Sequence, residues 1–187
     1  MTALVGPFLI VCVILAVGGA AKTAAPVQAR RAIRAVGIEV PLWSVRLLGL
    51  GEVTLAVVAA LKGGIVLPIA VGMAYLAFAA FVVLMLRSGA GTSCGCFGSA
   101  STPPSGLHVA VNVACGAVAF GAAGVDGLVT TLDDQAGAGL PLVALVLVGS
   151  YATYLLLTAL PTVLAPPERS VAAFALVDRG DREAGTT

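Results

Sequence analysis

Charge is what this chain has least of. Only 10% of its 187 residues are Asp, Glu, Lys or Arg, against 59% hydrophobic, and the mean hydropathy is +1.07. A water-soluble domain carries about a quarter charged residues, so a soluble globular fold is excluded. No basic patch with interleaved aromatics occurs and the net charge is only +1, which sets nucleic-acid binding aside. No Lys or Arg precedes Lys22. The first apolar run therefore lacks the basic start of a secretory signal, although Gly19-Ala20-Ala21 resembles a cleavage site, and it is read as a retained helix. No internal repeat stands out.

What remains is one apolar run after another, each near the length that crosses a bilayer as a helix. They predict spans over about 3–21, 43–61, 65–86, 107–124 and 139–164. The expected fold is all-α: a polytopic membrane bundle of four core transmembrane helices plus a fifth, C-terminal one. Residues 1–164 form the transmembrane domain and 165–187 a polar tail. Lys22 is expected to end the first helix, Trp43 to mark the interface before the second, and Pro68 to sit in the first turn of the third, where proline is tolerated. Between the first two spans, Val27, Ile33 and Val36 alternate with Arg30, Arg31 and Arg34. That pattern reads as a short interfacial helix with its arginines toward head groups, or as a basic loop.

Five spans put nearly all basic residues on one side of the membrane, with Lys62 alone on the other. The positive-inside rule then expects a plasma-membrane protein with its N-terminus outside and the 88–106 loop toward the cytoplasm.

Alternating span directions bring four helix ends to one membrane face. Those ends carry Lys22, Arg46, Glu52, Arg87, His108 and Asn112. Glu52 lies six residues beyond Arg46, roughly 9 Å deeper at the helical rise. A carboxylate at that depth marks a paired or functional position, with Lys22, Arg46 or Arg87 as its partner. His108, Asn112 and Cys115 are spaced by four and three residues, so they share one helix face. Each has a plainer reading: an ion pair that fixes packing, an interhelical hydrogen bond, an interfacial cap. Cys12 and Cys115 read as small packing residues near mid-membrane.

The same face carries Cys94-Gly95-Cys96. Read from the residues alone, this loop is a redox dithiol, a metal site or a glycine turn. An accessible thiolate with a resolving cysteine beside it is what thiol–disulfide exchange needs, and Arg87 and a protonated His108 would favour the thiolate. Two thiolates plus His108 fall one ligand short of a structural zinc site, although Cu(I) tolerates fewer.

Cys94-Gly95-Cys96-Phe97-Gly98 resembles the Cys-x-Cys-Phe-Gly motif of the methylamine-utilisation MauE family, within the wider DoxX-like group of redox-associated membrane proteins. Gly19-Ala20-Ala21-Lys22 is similar to that family's Gly-x-x-Lys pattern. Leu50-Gly51-Glu52 resembles its glutamate-bearing second span, and Asn112 the asparagine early in the span after the cysteines. The resemblance covers roughly residues 5–124. It implies a membrane thiol–disulfide redox protein, linked in the family to methylamine dehydrogenase maturation, that works with a thioredoxin-like partner. Cys94 and Cys96 would exchange, Glu52 would accept protons or anchor an ion pair, and Lys22, Arg46, Arg87, His108 and Asn112 would form the supporting polar pocket. A quinone is a candidate electron partner that no residue demands. Two other classes stand beside this one. The first is a non-catalytic assembly or scaffold subunit, binding Cu(I) at the cysteines. The second is a transporter, which rests on Glu52 alone and lacks the paired broken helices of that class.

Overall fold

In the computed structural model, residues 4–88, 104–129 and 139–159 are described. They form six helices and one very short ladder. The helices are α1 (Val5–Ala24), α2 (Pro26–Ala35), α3 (Leu42–Lys62), α4 (Val66–Ser88), α5 (Gly106–Gly121) and α6 (Gly139–Thr158). The strands β1 (Gly63–Gly64) and β2 (Val125–Asp126) pair antiparallel, with Gly63 opposite Asp126 and Gly64 opposite Val125.

Among the described residues, four helices are long and apolar enough to cross a membrane: α1, α3, α4 and, over Pro141–Thr158, α6. The shorter α5 is apolar as well. The fold is thus an all-α polytopic bundle, as the run lengths predict.

The first helix is the centre of the bundle. Its buried residues Val5, Phe8, Leu9, Cys12, Leu15, Gly19 and Lys22 follow the three-and-four spacing of one face, while Val11, Ile14 and Gly18 are buried on another. A helix covered on more than one side is what an all-round apolar sequence permits. It packs against α3, α6 and α5, while α4 lies along α5. Lipid tails are as apolar as leucine, so the fit of small residues holds such helices together. At the α1–α3 crossing, a Cβ on Gly19 would stand 2.6 Å from the Gly49 carbonyl oxygen, and one on Gly49 2.5 Å from that of Gly19. The two backbones approach this closely only because neither residue has a side chain.

One expectation is corrected here. Lys22 does not end the first helix, which continues to Ala24 with Lys22 turned inward and 8% exposed. Glu52, on the facing helix, makes that inward turn favourable. The linker forms the short helix expected of it, α2, and its protein-facing side is Pro26, Ala29 and Ala32. A helix repeats every three to four residues, and that spacing leaves Val27 exposed. Ala32 packs with Met85, Val36 and Phe81, seating α2 on the end of α4.

At the opposite end, the Gly124 N–H donates to the Gly64 carbonyl at 2.9 Å, and with the two-residue ladder this ties the end of α5 to the α3–α4 turn. Gly63 takes φ +62° in that turn, a backbone state open to glycine and strained for other residues.

Candidate functional site: a buried Lys–Glu pair over a small cavity

The end of α1 and the middle of α3 meet where the paired glycines let them. One turn past Gly19 on α1 comes Lys22, and one turn past Gly49 on α3 comes Glu52. The Lys22 Nζ donates to Glu52 Oε2 at 2.7 Å. Both residues are buried, with Glu52 only 5% exposed. Two opposite charges in contact can be held in a bilayer interior where a lone one is strongly disfavoured.

Aromatic residues of α4 complete the setting. The ammonium lies 4.8 Å from the centre of the Phe78 ring, a cation–π distance. Phe78 meets Tyr75 edge-on at 6.2 Å, and the Tyr75 hydroxyl donates to the Val11 carbonyl of α1 at 2.7 Å. The phenol thus fastens α4 to α1 beside the ion pair.

From α5, His108 is 2% exposed, and its Nδ1 lies 2.9 Å from Ser105 Oγ. Asn112 Nδ2 donates to the His108 carbonyl one turn back at 2.7 Å, a bond within its own helix rather than between helices. Lys22, Glu52, Tyr75, His108, Asn112 and Cys115 all border one cavity of about 40 Å³, and Leu157 of α6 also lines it. The shared face of His108, Asn112 and Cys115 expected from their spacing is therefore the face that looks into this cavity.

One atom in the site is unsatisfied. Glu52 Oε1 is buried and has no hydrogen-bond partner among the described residues. Such a group costs about 1–3 kcal/mol, more when charged.

Other expected residues lie elsewhere. Arg46 and Arg87 are exposed and do not border the cavity. Six residues separate Arg46 from Glu52, which turns it about 120° around α3. Arg87 is in the last turn of α4, past the level of the pair. Cys12 and Cys115 are both free thiols, and Cys12 borders a separate apolar groove between α1, α3 and α6. Cys94 and Cys96 lie outside the described residues, in the segment joining Ser88 of α4 to Pro104. Among the described residues, no group of three His, Cys, Asp or Glu side chains forms a metal site.

Tyr75, Phe78 and Ser105 went unnoticed in the sequence. A hydroxyl in the middle of an apolar span was the available signal at Tyr75, because lipid offers it no partner. The Tyr75-to-Phe78 step of three then puts both rings on one face.

A family model described as methylamine utilisation protein MauE matches residues 1–125. The chain belongs to the MauE family. No curated protein and no solved structure matches it. The MauE-family portion supplies the ion pair, both aromatics and the α5 face. Only Leu157 among the described cavity residues comes from beyond it.

Proposed function

We propose that this MauE-family protein is a membrane thiol–disulfide redox protein that exchanges electrons with a thioredoxin-like partner through Cys94 and Cys96. A thiolate of one partner attacks the disulfide of the other and a mixed disulfide forms. The second thiol then displaces it, leaving one pair oxidised and the other reduced. The two electrons stay within the exchange, so no further oxidant enters this step.

The observation that carries the reading is the position of the buried Lys22–Glu52 pair. It lies in the half of the bundle where α4 ends and α5 begins, the two anchor points of the Cys94–Cys96 segment. A paired carboxylate buried among apolar helices is a strong marker of a working site. Family membership supports the same chemistry and, more distantly, a link to methylamine utilisation. The positive-inside count supports a plasma-membrane setting with the cysteines toward the cytoplasm, where cytosolic thiols would supply electrons.

Mass-tagging of free thiols in native membranes, with and without reductant, tests the exchange. Cys94 and Cys96 should gain tags together on reduction, and Cys94→Ser should trap a mixed disulfide with the partner at Cys96. A pair that never changes state sinks the redox reading. Stoichiometric copper, lost in Cys94→Ser, would replace it with Cu(I) binding. Labelling Cys96 with a membrane-impermeant maleimide from each side tests the sidedness.

A further inference from the structure

The cavity beside the ion pair is small, polar at one wall and apolar elsewhere. Its size decides what it can hold. An apolar cavity that takes a benzene ring measures about 150 Å³, against about 40 Å³ here. A quinone ring does not fit. Water does, since one molecule needs roughly 10–15 Å³ of such space together with two to four polar partners.

The partners are present. Glu52 Oε1 is an acceptor with no partner among the described residues. The Lys22 ammonium gives one N–H to Glu52 Oε2 and keeps others. The Asn112 side chain and the Cys115 thiol border the same space. The other groove gives the contrast. It is larger, about 220 Å³, and Cys12 is the most polar of its described lining residues, which are otherwise aliphatic or alanine. Polarity, not room, separates a wet cavity from a dry one.

We propose that the cavity between α1, α3, α4 and α5 is a water-binding site, in which water hydrogen-bonds Glu52 Oε1 and reaches the Cys115 thiol. The buried carboxylate is then hydrated inside the bilayer-spanning bundle. This stands whether or not Cys94 and Cys96 exchange electrons, because the groups named for it are Lys22, Glu52, Asn112 and Cys115.

The test reads the two buried thiols by infrared spectroscopy, in the S–H stretching window where other protein groups do not absorb. Full-length protein in phosphatidylcholine nanodiscs is transferred to D2O. The protein has four cysteines, so the S–H bands of Cys115 and Cys12 are picked out by difference against Cys115→Ala and Cys12→Ala. Exchange needs water at the thiol, so the Cys115 band should convert to S–D at least about tenfold faster than the Cys12 band. In the double variant Lys22→Met/Glu52→Met, which removes both charges at similar volume, Cys115 should slow to the rate of Cys12. Equal rates for the two thiols in the wild type overturn the proposal, as does undiminished Cys115 exchange in a folded double variant. If the double variant fails to fold, the wild-type comparison decides alone.

Discussion

Lys22 and Glu52 lie 30 positions apart in the chain and 2.7 Å apart in the fold. That contact joins the central helix to α3 beside the paired glycines, where Glu52 packs against Gly19. It places the bundle's buried charge against the aromatic pair of α4 and the polar face of α5. The two helices come this close because Gly19 and Gly49 have no side chains.

Removing one member of the pair should cost far more than removing both. Glu52→Ala leaves an ammonium buried without its counter-ion, and a loss of about 3–5 kcal/mol is expected. Lys22→Met/Glu52→Met should return near wild-type stability, because a buried pair is worth little against an apolar one of similar volume. Unfolding in mixed micelles of the wild type, Lys22→Met, Glu52→Met and the double variant, with Glu52→Ala alongside, measures this. Additive effects would show that the two side chains do not depend on each other.

The glycines should differ sharply in tolerance. A Cβ at Gly19 would meet backbone oxygen at 2.6 Å, whereas one at Gly51 meets nothing within 4 Å. Gly19→Ala should push α1 and α3 apart and destabilise by about 1–3 kcal/mol. Gly51→Ala should be neutral or gain up to about 1 kcal/mol, since glycine is a poor helix-interior residue. Melting temperatures of the two variants, measured side by side, check the contrast.

Tyr75→Phe keeps the ring against Phe78 and deletes only the hydroxyl that bonds Val11. A loss of about 0.5–1.5 kcal/mol is expected, with the fold retained by circular dichroism. A loss as large as that of Glu52→Ala would mean the hydroxyl does more than fasten α4 to α1.

Arg46→Ala and Arg87→Ala should each change stability by less than about 0.5 kcal/mol, as exposed substitutions do. Lys22→Ala, which leaves Glu52 buried alone, should cost several times more. Comparable losses at all three positions would place the arginines in the site after all.

Much of the site was legible because lipid penalises polar groups. Glu52, His108 and Asn112 stood out as polar residues inside apolar runs, and the alternation of span directions brought them to one half of the bundle. Tyr75 was hidden by its dual character, since a tyrosine reads as one more aromatic until its hydroxyl finds a carbonyl. Arg46 and Arg87 were grouped with the others because height along a helix can be counted in the sequence. Direction around a helix, relative to neighbours, cannot.

By itself the sequence determined the class of molecule, an all-α polytopic bundle, and the family to which it belongs. Run length, scarcity of charge and the spacing of a few residues are local properties, and they act before any helix meets another. Only the tertiary structure decided which cation pairs with Glu52, which arginines turn outward, and that Lys22, Glu52, His108 and Asn112 border one small cavity. Those outcomes depend on rotation and distance between helices, which two glycines 30 positions apart set jointly and which no single stretch of the chain contains.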